Sequence, residues 1–147
     1  MKTITVLNGD IFNSSMQTIV NPVNTAGAMG KGLALQFKQR YPSMFEKYKQ
    51  HCKNGNFTMG KLWLFKPKEE DRWVLNFPTK NHWSEKSKYE YINKGLIKLR
   101  DNYKRIGITS IAFPKIGCGL GGLDWSNVKM SILSILHETD LLVEFYE

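Results

Sequence analysis

With 147 residues, 41% of them apolar, the chain is long enough to bury about 68–70% of its unfolded surface as one domain spanning 1–147, and it has no run of the roughly 18 apolar residues that would cross a membrane. Its two cysteines, Cys52 and Cys118, follow no metal spacing and form no disulfide framework; with no secretory signal at the start, they point to a reducing cytoplasm, and neither metal nor cofactor is expected. The 21 Lys and Arg exceed the 13 Asp and Glu, and a formal net charge of +8 favours a polyanionic partner such as nucleic acid unless it serves solubility alone.

In chain order, Ile4–Leu7 reads as a short strand ending at Asn8-Gly9-Asp10, and Thr18–Asn21 as a second strand halted by Pro22. Gly32–Arg40 and Ser43–Cys52 are predicted helices, the second started by Pro42 and carrying Met44, Phe45, Tyr48 and Cys52 on one side. Strands follow at Leu62–Phe65 and Trp73–Phe77. Tyr89, Ile92, Leu96, Leu99 and Tyr103 recur at helical spacing, which predicts an amphipathic helix within Lys86–Arg105. Ile108–Phe113 is the next strand. Asp124 is the expected N-cap of a helix that reaches His137 and buries Val128, Ile132 and Ile135, and Leu141–Tyr146 is the last strand. There is no repeat, low-complexity tract or linker. Because Glu147 follows that strand directly, a further partner-binding region downstream is an expectation.

Strands alternating with helices imply an α/β sandwich, its sheet largely parallel and covered on both faces. Ligands of such sheets bind beyond the carboxyl ends of the strands. Four segments leave strand ends here, Gly9–Phe12, Asn21–Gly32, Pro78–Trp83 and Pro114–Gly122, and a single crevice built from them is the default site. The last carries Gly117, Gly119, Gly121 and Gly122 in six positions between a strand and a helix, a density suited to an anion cradle in which successive N–H groups converge and the helix dipole adds positive potential. It also fits G-x-G-x-x-G, but a Rossmann site needs further parallel strands and a later acid, and too little chain remains. Gly27–Gly32 falls short of a P-loop, since Thr25 and Gly32 stand where its first glycine and hydroxyl belong.

Taken together, Gly9-Asp10-Ile11, Asn21-Pro22-Val23-Asn24, Gly30-Lys31-Gly32-Leu33-Ala34 and Ile116-Gly117-Cys118-Gly119-Leu120-Gly121-Gly122 resemble the ligand loops of the macrodomain family, whose members bind ADP-ribose or remove it from targets. The resemblance covers nearly the whole chain and implies a three-layer α/β/α macrodomain sandwich with a mixed, largely parallel sheet. Gly30–Ala34 and Phe77-Pro78-Thr79-Lys80-Asn81-His82-Trp83 look most like the branch of DNA ADP-ribosyl glycohydrolases, antitoxins that remove ADP-ribose from thymidine in DNA. The implied partners are ADP-ribose, ADP-ribosylated single-stranded DNA and a cognate DarT-like toxin met through a region outside this chain, with no membrane.

On this resemblance Gly9, Asp10, Ile11, Asn21, Asn24, Gly30, Lys31, Gly32, Thr79, Gly117, Cys118, Gly119, Leu120, Gly121 and Gly122 contact ADP-ribose. Asp10 would accept from the adenine amino group; otherwise it is a turn acid bonding its own backbone. Asn21 and Asn24 each offer a donor and an acceptor to a ribose diol, or cap the strand end. Lys31 either neutralises phosphate or is a surface charge. Cys118 sits near a helix N-terminus, where thiol pKa values fall, but no histidine neighbours it and the family uses its backbone there. Lys80 is the implied catalytic residue, a lysine whose pKa burial or a cationic neighbour would lower, as nucleophile or as acid and base. A related terminal ADP-ribose protein glycohydrolase pairs its lysine with an aspartate in the second glycine loop, where this chain has Gly121, so an imine with the opened ribose and simple proton transfer both stay open. His82 and Trp83 would hold the modified base, and Lys86 and Lys88 begin a run of seven Lys and Arg against two acids through Arg105 along which DNA could lie. The alternatives are a reader of ADP-ribose without catalysis and a hydrolase of protein-linked ADP-ribose or O-acetyl-ADP-ribose.

Overall fold

The computed structural model describes the whole chain, Met1–Glu147. Strand β1 (Lys2–Val6) is followed by β2 (Thr18–Asn24), helices α1 (Gly32–Arg40) and α2 (Pro42–Lys53), and strands β3 (Trp63–Phe65) and β4 (Trp73–Lys80). Helix α3 (Tyr89–Ile106), β5 (Ser110–Phe113), α4 (Trp125–Leu136) and β6 (Leu142–Tyr146) complete it. The strands form one sheet in the order β1-β6-β5-β2-β4-β3, parallel throughout except for the antiparallel β3–β4 pair. No helix is long and apolar enough to cross a membrane.

Alternation along the strands builds the layers, because successive side chains leave opposite faces of a sheet. Val20, Leu75, Phe77, Ile111, Phe113, Val143 and Phe145 join Ile92, Leu96 and Leu99 of α3 and Val128, Ile132 and Leu136 of α4 in one core. Ile19, Val23, Val74 and Ala112 pass to the other face and meet Phe37 of α1 and Met44, Phe45 and Tyr48 of α2. The expected three-layer α/β/α sandwich with a mixed, largely parallel sheet is what these two cores produce.

Several boundaries differ from the sequence reading, each for a local reason. β2 and β4 run through Pro22 and Pro78 to Asn24 and Lys80. The prolines do not stop them because β5 pairs with β2 only at Thr18 and Ile19, and β3 reaches only Asn76 of β4; each proline lies where its strand has one neighbour, and a missing donor is tolerated there. Ile108 is not in β5, since its N–H closes the end of α3 on the Tyr103 carbonyl with Gly107 left-handed at φ 88°. α3 starts at Tyr89 and not Lys86, so Lys86 and Lys88 precede the helix. In α4, Leu136 is fully buried and Ile135 only partly, as the i, i+4 run Val128, Ile132, Leu136 dictates. β1 ends at Val6, leaving Leu7 exposed.

Gly95 lets α3 lie against β4. A Cβ there would stand 2.3 Å from Cζ of the fully buried Phe77 ring. Gly95→Ala would gain up to about 1 kcal/mol of helix propensity and lose about 1–3 kcal/mol to overpacking. Urea denaturation should therefore report a net loss of up to about 2 kcal/mol; a midpoint above wild type would mean that the Phe77 ring moves freely aside.

Candidate functional site

Five strands run the same way, so the segments that follow β1, β2, β4 and β5 emerge at one edge of the sheet. Pairing between β2 and β5 ends at Ile19 and Ala112, whereas pairing between β2 and β4 continues to Asn24 and Lys80. Above Ile19 the two strands therefore part, and the opening between them is the crevice expected at such a place.

The lip after β2 is shaped by Asn24. Its Oδ1 accepts from the N–H groups of Ala26 (3.0 Å), Gly27 (3.1 Å) and Ala28 (3.3 Å) and from the Tyr48 hydroxyl (2.8 Å), while Nδ2 donates to the Ala28 carbonyl at 2.9 Å. Burial pushes the Tyr48 phenol far above its ordinary pKa, so it remains a donor. Asn21 is 0% exposed and donates to Asn76 Oδ1 at 3.0 Å. Both side chains, expected at a ribose diol, make their bonds within the protein here: Asn21 lies inside the sheet layer with its Oδ1 unpartnered, and Asn24 shapes its own turn. Gly30, Lys31 and Gly32 do face solvent, with no atom within 4 Å of a Cβ built on either glycine, and the N-terminus of α1 carries no side-chain cap.

On the other lip the four glycines divide by task. Gly117 (φ 73°) is buried, and a Cβ there would meet Leu123 at 2.9 Å and Ile92 at 3.1 Å. At Gly121 it would meet Ser87 Cβ at 3.2 Å, and at Gly122 the Lys86 chain at 3.2 Å. Only Gly119 (φ 61°) has open space beside it. The sequence reading assigned all four to one anion; at three of them the missing Cβ also makes room for neighbouring side chains. Asp124 caps α4 as expected, Oδ1 accepting from the Ser126 N–H at 2.9 Å, and its carboxylate thereby occupies the helix end that was expected to face a phosphate. Leu120 stands out at 64% exposed. Burial raises the Cys118 thiol pKa, in keeping with a cysteine that is not a nucleophile.

Lys80 is the last residue of β4, not a residue of the loop beyond it, and is half-buried beside Asn24. Burial first and the Lys86 ammonium second hold its pKa below the ordinary lysine value, with Glu85 opposing. The segment after it is tied to both lips. Thr25 donates from its hydroxyl to Asn81 Oδ1 at 3.1 Å and from its N–H to the Lys80 carbonyl at 3.1 Å. The buried Ser87 gives its hydroxyl to the Thr79 carbonyl and its N–H to the Gly121 carbonyl at 2.9 Å. Ser87 thus caps no N–H of α3, whose N-cap is Lys88, and it joins the candidate site as a residue that the sequence reading missed; a serine two places before a helix reads only as a cap. Thr79 is buried, its hydroxyl on the Val23 carbonyl at 3.4 Å. Trp83 is 57% exposed, its ring 4.8 Å from that of His82, whose Nδ1 meets Ser84 Oγ at 2.7 Å.

At the far end, Asp10 Oδ1 accepts from the Phe12 N–H at 3.0 Å, the turn-acid role, while the residue itself stays exposed. Ile11 is buried, and Gly9 allows Val6 and the Tyr146 ring to close in, at 2.7 and 3.2 Å from a Cβ built there. No three His, Cys, Asp or Glu side chains are placed to hold a metal. Two open clefts lie outside the crevice: about 400 Å³ between Ser14–Gln17 and Glu70–Arg72, and about 380 Å³ between Thr58–Lys61 and α3.

The Macro domain family model matches residues 20–132. A DNA ADP-ribosyl glycohydrolase of Mycobacterium tuberculosis is 43% identical over 137 residues, 92% of this chain and 39% of that protein. A Thermosipho africanus protein named as a DNA ADP-ribosyl transferase-DNA ADP-ribosyl glycohydrolase fusion is 37% identical over 162 residues, 99% of this chain and 42% of its own length. The chain thus spans about two fifths of these relatives. Among solved structures, the macrodomain of Mycobacterium tuberculosis DarG superposes with a TM-score of 0.92 at 40% identity, covering 98% of this chain and 96% of that one. Thermosipho africanus DarTG in complex with ADP-ribose superposes with a TM-score of 0.89 at 40% identity, covering 97% of this chain and 41% of that one. A parallel sheet that opens between β2 and β5, with a glycine turn on each lip, is accordingly a macrodomain frame, and the chain belongs to that family.

Proposed function

We propose that the chain is an ADP-ribosyl glycohydrolase acting on ADP-ribosylated thymidine in single-stranded DNA, the antitoxin activity that counters a DarT-like toxin. One observation carries the reading: the order of the candidate residues along the sheet edge is the order of the parts of the substrate. Asp10 follows β1, the Gly117–Gly122 turn follows β5, Gly30–Gly32 follow β2, and Lys80 ends β4. At a strand spacing of about 4.8 Å, β1 and β4 lie roughly 19 Å apart, room for an extended dinucleotide-like molecule. Adenine is assigned to Asp10 and the neighbouring Gly9 and Ile11, the pyrophosphate to the N–H groups around Gly119 with Lys31 nearby, and the distal ribose to Lys80. The thymine then falls to Trp83 and His82, and its strand to Lys86 and Lys88. Names borne by the relatives support the substrate class, and the fusion relative supports a toxin as partner.

In the hydrolysis, water adds to the anomeric carbon of the distal ribose, the bond to the base nitrogen breaks, and the departing base takes up a proton. A half-buried lysine beside a second ammonium spends more of its time neutral than a surface lysine, which suits it to move a proton or to attack the opened ribose. Position 121 is a glycine, and a Cβ built there stands 3.2 Å from Ser87 Cβ, so Lys80 acts without the aspartate that a related glycohydrolase places in this turn.

Lys80→Ala should lower release of ADP-ribose from modified DNA by at least a hundredfold while ADP-ribose affinity stays within about tenfold. Single-turnover assays with calorimetry would separate the two, and wild-type turnover by the variant would overturn the assignment; borohydride trapping of wild type distinguishes an imine from proton transfer. If neutral Lys80 is the working form, activity rises with pH through its pKa. Lys86→Gln removes a repelling charge, raises that pKa and moves the rise to higher pH, whereas Glu85→Gln moves it lower; profiles that do not shift in opposite directions would exclude a titrating Lys80. Gly119→Val places a branched side chain at a positive φ beside the open crevice, at a cost of about 1–3 kcal/mol in strain. It should weaken ADP-ribose binding well beyond the accompanying loss of stability, and unchanged affinity in the folded variant would remove this turn from the phosphate site.

A further inference from the structure

β3 runs antiparallel to β4 and starts opposite Asn76, so the turn ahead of it, Thr58–Lys61, lies toward the same end of β4 as Lys80. Gly60, at φ 88°, brings that turn against α3, with a Cβ built there only 3.5 Å from Lys94 Cβ. Between turn and helix remains an open cleft of about 380 Å³ whose walls carry Lys61, Lys94 and Lys98, with Ile97 41% exposed and Asp101 at one end.

The charges of this cleft are not compensated within the protein. Lys49, Lys104 and Lys129 pair with carboxylates, and Lys38, Lys47 and Lys66 lie over aromatic rings. Lys61, Lys94 and Lys98 have neither kind of partner, which is equally true of Lys2, Lys31, Lys53, Lys68, Lys80, Lys86 and Lys115; what sets these three apart is that they line one cleft, whose acid, Asp101, pairs with Arg100 at 3.0 Å. Lys94 and Lys98 stand one turn apart on α3, where like charges repel. Three lysines lining one cleft with a single exposed aliphatic side chain suit a polyanion threaded past them better than a protein surface, which would need a broader apolar centre.

We infer that this cleft seats the phosphates of the DNA strand flanking the modified nucleotide, leading it from the Lys80 end of β4 along α3. The inference rests on the function proposed above and extends it: the nucleotide's neighbours, and not only its ADP-ribose, are held by this chain. The cleft lies outside the ADP-ribose crevice, so its lysines govern binding of the strand and leave chemistry on an isolated modified nucleoside untouched.

The test compares wild type with a triple variant, Lys61→Glu, Lys94→Glu and Lys98→Glu, on three ligands: ADP-ribosyl-thymidine nucleoside, an ADP-ribosylated single-stranded oligonucleotide, and the same oligonucleotide unmodified. Circular dichroism and ADP-ribose binding first establish that the variant is folded. Each single-strand phosphate contact contributes about 0.7 to the slope of log affinity against log salt, so loss of three should flatten the slope by about 2 and weaken both oligonucleotides on the order of tenfold or more at low salt. Nucleoside turnover should be unchanged. Equal oligonucleotide affinity and salt slope in the folded variant would overturn the inference and leave these lysines to solvent or to a protein partner. Should wild type hydrolyse neither modified ligand, the proposed function falls, and binding of the unmodified oligonucleotide still decides for or against the cleft.

Discussion

Everything at the functional edge of this protein depends on β2 keeping one neighbour and losing the other. Pairing with β5 lapses after Ile19, pairing with β4 persists to Lys80, and the gap so formed is the crevice. Had β5 followed β2 for its full length, ladder hydrogen bonds would have closed the space, and the glycine turns would have met above a continuous sheet. The prolines fit the same geometry. Pro22 and Pro78 stand only where a strand has a single partner, so the residues that look like strand breakers mark the stretch in which the sheet comes apart.

A second dependence runs through Ser87. One side chain and one N–H join the end of β4 to the turn after β5, and Thr25 joins it to the turn after β2. Lys80 is thereby held by neighbours belonging to both lips of the opening, which is how a lysine on an eight-residue strand acquires a fixed position near a ligand's reactive end. The same packing explains the glycines at 117, 121 and 122. Their missing side chains make room for Ser87, Lys86, Ile92 and Leu123, so most of the turn's glycine content serves the closeness of protein to protein, and Gly119 alone has an open side.

The architecture was legible because its signals are periodic: alternation in the strands and the three-and-four spacing of Tyr89, Ile92, Leu96, Leu99 and Tyr103 are imposed by burial and survive without an alignment. The candidate residues at strand ends were legible for a related reason, since glycines and polar side chains cluster where backbone is irregular. What sequence could not give was the direction in which a polar side chain spends its hydrogen bonds. Asn21 and Asn24 have the right chemistry for a sugar, yet one is sealed beneath the sheet surface beside Asn76 and the other is consumed by four donors of its own neighbourhood. Ser87 went unnoticed because its partner, Thr79, is a carbonyl, which leaves no mark in a sequence. Tertiary contacts also set the start of α3 at Tyr89, a boundary that the run of lysines ahead of it conceals.

The bond from Tyr48 to Asn24 bears on timing. Tyr48 is fully buried in α2, so the turn after β2 is bolted to a helix from below instead of standing free on its glycines. A loose turn would have to lose its freedom at the moment a ligand arrived, and that ordering slows capture and weakens it. Here the freedom is surrendered during folding. The stretch Ala26–Ala28 is therefore ordered before anything docks on the crevice, and a molecule arriving there would have no freedom of that stretch left to quench.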